Sequence, residues 1–380
     1  MTPLLIEKYV PFLKKNGLEI YVDAVSMNPV FSEVEFESAG LFANDFAVVK
    51  KDGKYGFIDH EGYMAIPNIY DSASDFSEGL AMVEIDGSNG FINAQGKIVV
   101  PIKYDNAGDF DDGYAQVELD NLYGIVDSTG KEIYAPLSGE VVYFQEGLAH
   151  VSDAPFYNHG FIDTFGKIVI PKIYYSAGNF SNGLAPVAWK EVWGFIDRHM
   201  NLKIPQIYSS AYDFREGIAG VKLAKKWGFL DTEGNVVIPF NYDKLTDFHR
   251  FIIEGMIGVM IKNRYGFIDK TGKEIVPLKY NETKWFSEGM AGVKQKNKWG
   301  FVDKCGEEVI QPEFQHVRFF SDGLAWIYVD KKEGYIDKEG KIVIPPKYTR
   351  AGNFCDGLTS VELDGESFFI DKLGREFRES

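Results

Sequence analysis

A glycine returns about every 34 residues through most of this chain, and the residues beside it return with it. Gly56, Gly90, Gly124, Gly160, Gly194, Gly228, Gly266, Gly300 and Gly334 hold one phase, with steps of 34, 34, 36, 34, 34, 38, 34 and 34. The next position in phase is Phe368, where the glycine is lost. Each copy sits in a short strand-like motif such as Tyr55-Gly56-Phe57-Ile58-Asp59. Internal repetition at this period means an array of one supersecondary unit, and it overrides the two or three globular domains that 380 residues would otherwise suggest.

Residues 70 to 104 give the clearest unit. Tyr70-Asp71 opens an irregular stretch that runs to Phe76-Ser77-Glu78-Gly79. Three β-rich runs follow, Leu80–Glu84, Gly90–Asn93 and Lys97–Val100, separated by turns at Asp86-Gly87-Ser88 and Asn93-Ala94-Gln95-Gly96. This pattern predicts a three-stranded antiparallel meander. The Asp and Gly of motifs such as Asp231-Thr232-Glu233-Gly234 suit a type I turn followed by a left-handed residue. The returning glycine inside a strand predicts a bulge or the close approach of a neighbouring backbone or aromatic ring. The proline after the third run, Pro67 in the first copy, is expected to end pairing. Phe-x-x-Gly recurs from Phe76–Gly79 to Phe354–Gly357, and its Phe is expected to plug the space between units. The residue before that Gly is acidic in most copies, which suits either a turn residue or an acidic ladder facing cations.

The fold expected is all-β. About ten 34-residue, three-stranded antiparallel units occupy residues 35–380 and form an open β-superhelix or solenoid, with a closed propeller-like ring as the alternative. Propeller blades have four strands and longer repeats, which weighs against the ring. Residues 1–34 read as an N-terminal cap with an irregular strand. Thr2, Pro3 and Asn16-Gly17 bound a short helix there, with Leu4, Leu5, Tyr9, Phe12 and Leu13 as its apolar face and Pro11 against it. Gly17–Val22 resembles a stray strand that could close a ring.

Composition excludes several functions. Hydrophobic content of 45% with 15% aromatic residues excludes disorder. A net charge of −16 disfavours nucleic acid and anionic membranes and favours a basic protein partner. Cys305 and Cys355 are too few for a disulfide framework or a zinc site. No basic, apolar leader and no run long enough to span a membrane is present, so the expectation is a cytoplasmic, monomeric protein without membrane insertion. The six histidines show no metal-binding spacing, and no phosphate loop, nucleophile elbow or dinucleotide fingerprint occurs. Neither an enzyme, nor a cofactor, nor a metal site is expected.

Candidate binding residues are sought where the repeat breaks. Two extra residues fall in Ser152–His159, which singles out Asp153, Phe156, Tyr157 and His159. Four fall in Thr246–Ile253, which singles out Phe248, His249, Arg250 and Phe251. Insertions in arrays map to loops, often on a binding face. The tips of the first hairpin also change sign, from Asp86, Asp120 and Asp153 early to Lys225, Lys226, Lys262, Arg264, Lys296, Lys298, Lys331 and Lys332 late. Trp193, Trp227 and Trp299 share one phase and are expected to pack units together. Trp189, Trp285 and Trp326 are off-phase and are the candidates for stacking on a glycan.

The string Trp-Gly-Phe-Ile-Asp-x-x-Gly-Lys-x-Val-Ile-Pro-x-x-Tyr-Asp, followed by Phe-Ser-Glu-Gly-Leu-Ala, resembles the bacterial WG-repeat family. Residues 225–243 and 286–310 carry it best, and the resemblance covers nearly the whole chain. Copies at Asn89, His159, Glu333 and Ser367 lack the aromatic. The resemblance implies a β-rich repeat scaffold with interaction roles and no site residues to carry over. The function expected is a non-catalytic protein-binding scaffold, for instance one that neutralises a basic toxin. The alternative is a protein that binds glycans or the cell envelope.

Overall fold

The computed structural model describes residues 9–13, 18–23, 30–31, 34–43, 45–138, 140–141, 144–153, 158–246, 252–355 and 357–377. Among them are ten four-stranded antiparallel sheets and one two-stranded sheet. The ten sheets, repeats one to ten, span residues 38–70, 72–104, 106–138, 140–174, 176–208, 210–242, 244–280, 282–314, 316–348 and 350–377. Backbone contacts divide the chain into two compact units. The first reaches Glu191 and takes in Phe195–Leu202, and the second holds Val192–Gly194 and the described residues from Lys203 on.

Each repeat has one strand more than expected. In repeat two the strands are Ser72–Ala73, Leu80–Ile85, Ser88–Asn93 and Ile98–Tyr104, paired in that order. The extra strand comes from the stretch read as irregular, where Ser72 and Ala73 face Glu84 and Val83. Two residues are too few to show a strand's alternation. A four-stranded meander is the unit of the propeller-like alternative, and it replaces the three-stranded solenoid unit.

The expected N-terminal helix is corrected over its described part. Tyr9–Leu13 is a strand paired with Glu19–Asp23, and Pro11 lies opposite Tyr21. A short apolar run fits either element, and tertiary pairing decides it. Leu4 and Leu5 lie outside the described residues. Tyr21 and Phe36 are buried against Phe42, so this ribbon covers the core of repeat one. Glu19 also pairs with Phe36.

The returning glycine has a steric cause. In repeat one the third and fourth strands pair at Tyr55 with Tyr70 and at Phe57 with Ile66, so two residues on one side face four on the other. The surplus chain around Pro67 bulges over Gly56. A Cβ on Gly56 would lie 2.7 Å from Asn68 N and Ile66 O, and one on Gly300 would lie 2.2 Å from Ile310 O. The proline therefore does not end the strand. Pro67 lies inside Met64–Tyr70, in the unpaired gap of a bulge where no N–H is needed. In repeat ten, among the described residues, the fourth strand is Glu376–Phe377, paired with Ile370 and Phe369, and Phe368 takes the glycine's place.

Neighbouring repeats are joined by aromatic pairs. The Phe after the returning glycine meets the Phe of the next repeat's Phe-x-x-Gly. Examples are Phe57–Phe76 at 5.0 Å, Phe91–Phe110 at 4.8 Å, Phe161–Phe180 at 4.9 Å, Phe267–Phe286 at 4.9 Å and Phe301–Phe320 at 4.9 Å. Most are edge-to-face, the arrangement that sets a ring's positive edge on its partner's negative face, worth about 0.5–1.5 kcal/mol beyond burial. Phe286 and Phe320 are buried, as expected for plugs between units.

Replacing Gly300 by Ala forces its Cβ against the Ile310 carbonyl. We expect it to destabilise the protein by about 1–3 kcal/mol, as overpacking does, read as a lower urea midpoint. An unchanged midpoint would contradict the close approach.

Candidate functional site

The Phe-x-x-Gly motif is a tight hairpin that clasps the next repeat. Ser77 and Leu80 exchange backbone hydrogen bonds of 2.8 and 3.0 Å. Between them Glu78 and Gly79 have φ of 50° and 83°. This is a type I′ turn, which needs two left-handed residues. The acidic residue before the glycine therefore occupies a position uncommon for a side chain, and its carboxylate reaches the following repeat. Glu78 accepts from the Gly113 N–H at 2.7 Å, Glu254 from Gly289 at 3.0 Å, and Asp322 from Gly357 at 2.6 Å. The serine joins in, with Ser77 Oγ donating to the Phe110 carbonyl at 2.9 Å and Ser287 Oγ to Phe320 at 2.8 Å.

In most copies a cation from the next repeat's second turn neutralises this carboxylate. Glu146 meets Arg198 at 3.6 Å, Glu216 meets Lys270 at 3.7 Å, and Glu254 meets Lys304 at 3.0 Å. Glu288 meets Lys338 at 3.2 Å, and Asp322 meets Lys372 at 3.0 Å. Repeats two and three keep the acids, Glu78 and Asp112, but the sequence places Ser128 and Thr164 where the cations stand elsewhere. Their carboxylates gather instead of being paired. Glu78, Asp111 and Asp112 are exposed, with ligand oxygens within 4.8 Å of one another. Asp75 and Asp109 stand three residues before Glu78 and Asp112. Although Asp75 has exposed surface, loss of hydration first and repulsion by Asp109 second hold its carboxyl above the usual range. A concentration of unpaired carboxylates raises the local negative potential and attracts cations.

The residues singled out at the first insertion are partly structural. Asp153 forms an ion pair with Lys172, which also donates to the Tyr134 hydroxyl at 2.8 Å. His159 is buried and stacks on His150, with ring centroids 4.6 Å apart and Nε2 to Nδ1 at 2.5 Å. Phe156, Tyr157, Phe248, His249, Arg250 and Phe251 lie outside the described residues.

The histidine pair belongs to a volume exchange between two strands. The residue just before Val221, Val259 or Val293 shares a sheet face with the aromatic before the returning glycine. Gly220 accompanies Trp227, Gly258 accompanies Tyr265, and Gly292 accompanies Trp299. In repeats two, four and nine, where the aromatic is lost, the facing residue is larger: Met82 with Asn89, His150 with His159, and Trp326 with Glu333, whereas repeat ten carries Ser360 with Ser367. This removes Trp326 from the glycan candidates. It is 8% exposed, and its Nε1 donates to Glu333 at 2.7 Å. Trp189 and Trp285 are each 50% exposed, with Tyr174 edge-on to Trp189 at 6.3 Å and Phe319 beside Trp285 at 5.8 Å. The phase-sharing Trp227 and Trp299 are buried. Cys305 and Cys355 are free and exposed. No described helix is long and apolar enough to cross a membrane.

Burial first, and His159 second, push the His150 imidazole down from 6.5 to about 3. The unfolded chain therefore takes up that proton first. This contribution to stability is whole above pH 6.5 and drains as pH falls toward 3. We expect the double change His150→Met and His159→Asn, the pair that repeat two carries, to flatten the fall in Tm between pH 7 and about 5. A slope identical to that of the unchanged protein would contradict this.

The WG-containing repeat matches residues 30–55, 55–88, 90–123, 123–152, 160–188, 193–227, 227–265, 265–299, 299–332 and 334–366. No curated protein matches the chain. Among solved structures, a eukaryotic initiation factor is similar at TM-score 0.49 and 12% identity, covering 78% of this chain and 95% of that one. The tricorn protease is similar at TM-score 0.24 and 12% identity, covering 89% and 43%. Scores this low transfer neither a function nor a site. The ten matches run through most of the chain, which belongs to the WG-containing repeat family.

Proposed function

We propose that this WG-repeat protein is a non-catalytic binding scaffold whose partner is a basic protein. The observation that carries the reading is the unneutralised carboxylate group on repeats two and three. Sister repeats pair the same acid with a lysine or arginine, whereas Glu78, Asp111 and Asp112 stand exposed and close together without one among the described residues. Holding like charges in one place costs free energy that a partner's cation recovers on binding. At the same two positions of repeats five and six the sequence carries Asn182 and Thr232, both neutral. Loss of the cation is therefore tolerated where the acid goes with it, and repeats two and three depart from that rule. The chain's net charge of −16 would steer a basic partner toward any such face. Neutralisation of a basic toxin is one use that such a face would serve.

A glycan-binding reading keeps Trp189 and Trp285 as exposed rings and loses Trp326. The carboxylates favour the protein reading, because a neutral sugar gains little from uncompensated charge.

The test is co-purification with the immobilised full chain from lysate of the source cells, at low and high salt, beside the triple variant Glu78→Gln, Asp111→Asn, Asp112→Asn. We expect a basic protein that is retained at low salt, released at high salt and lost by the variant. A partner retained equally by the variant, or none that is basic, would remove this reading.

A further inference from the structure

The second unit holds the opposite imbalance. A groove of about 810 Å³ runs between repeats seven and eight, and Arg264, Lys279, Asn281, Glu282, Lys294 and Lys296 contribute to its lining. Two of its four cations are neutralised, Lys279 by Glu308 at 2.7 Å and Lys294 by Glu282 at 3.2 Å. Among the described residues Arg264 reaches only a backbone oxygen, the Lys279 carbonyl at 3.3 Å. The Lys296 ammonium has no partner among the described residues.

Sister repeats show what is missing. In repeats one and six the cation that opens the third strand meets an aspartate 17 residues later, whereas Lys298 and Lys332 of repeats eight and nine have Gln315 and Thr349 at that distance. Lys54 pairs with Asp71, and Lys226 pairs with Asp243 at 2.5 Å. Arg264 holds the same place, and the residue 17 later is Asn281. The aspartate has a second task, which the asparagine keeps. Asp71 accepts from the Asp86 N–H at 2.9 Å and Asp243 from Lys262 at 2.8 Å, while Asn281 Oδ1 accepts from Lys296 at 3.2 Å. The hairpin cap thus survives and only the negative charge is gone. What remains, among the described residues, is a guanidinium without a carboxylate, an amide nitrogen with no acceptor, and an ammonium, all lining one groove.

We infer that this groove binds the phosphate group of a small molecule. Arg264 supplies the planar fork that takes two phosphate oxygens, and Asn281 Nδ2 and Lys296 supply further donors. The volume suits a small ligand. The protein's net charge of −16 opposes a long polyanion, whereas one anionic group meets only the local cations. This site is independent of the acidic face on repeats two and three.

The test is calorimetric titration of the full chain with pyrophosphate, inorganic phosphate and citrate at low ionic strength. The decisive variant is Asn281→Asp, which introduces the ion pair that repeats one and six carry. We expect pyrophosphate to bind, more tightly than phosphate, and Arg264→Ala and Asn281→Asp each to weaken it by at least about tenfold. Asn281→Asp should leave Tm unchanged or raise it. Absence of pyrophosphate binding, full binding by Asn281→Asp, or tighter binding of citrate than pyrophosphate would each overturn the assignment.

Discussion

The contact on which the structure depends is the aromatic pair between neighbouring repeats. In most repeats the ring after the returning glycine reaches out of its own sheet to the ring of the next Phe-x-x-Gly, at separations such as 4.9 Å for Phe267–Phe286. A small twisted sheet cannot cover both of its faces alone, so each repeat is completed by its neighbours. The tight hairpin then adds directional bonds to that contact. Ser287 Oγ donates to the Phe320 carbonyl, and Glu288 accepts from the Gly323 N–H at 3.0 Å. Phe positions the two sheets, and the serine and the acid hold their register. The returning glycine serves the same end, since its missing Cβ lets the bulged fourth strand lie close over the ring-bearing third strand.

How much of this was legible in the sequence depends on where each partner lies. Turn chemistry was legible because it is local. Asp269 Oδ1 accepts from Thr271 at 2.9 Å and Lys273 at 3.0 Å, within five residues. The steric role of glycine was legible because only a close approach explains a strand glycine repeated in phase. The short first strand was not, because two residues such as Ser72 and Ala73 have no period to read. Nor was the strand at Tyr9–Leu13, whose apolar run fits two secondary structures until Glu19–Asp23 pairs with it. The burial of Trp326 was hidden as well. It follows from Glu333 leaving space across the strand pair, a relation visible only once the register is known.

Charge shows the same limit more sharply. In repeats four and six to nine the acid before the hairpin glycine meets a cation about 50 residues on, as Glu288 meets Lys338 at 3.2 Å. No local pattern in the sequence reveals such a pair. Once it is known, departures from it become informative in a way that a total of −16 is not. Repeats two and three lack the cation of this pair and keep the acid, and in a second pair Arg264 keeps the cation while Asn281 stands where repeats one and six carry Asp71 and Asp243. Repetition thus provides an internal reference. A side chain that repeats with its partner belongs to the scaffold, and one that repeats without its partner is available to a ligand. The broken 34-residue step proved a weaker guide, since the described residues of the first insertion, Asp153 and His159, are engaged within repeat four.

The measurement closest to the central claim is native-state hydrogen exchange of the full chain carrying Phe286→Ala. Phe286 belongs to repeat eight and packs on Phe267 of repeat seven. If the ring pair completes both sheets, the strands of repeats seven and eight should lose protection together, with repeat ten little changed. Loss confined to repeat eight, with Arg264–Asp269 and Glu274–Tyr280 as protected as before, would contradict the claim that each repeat is completed by its neighbour.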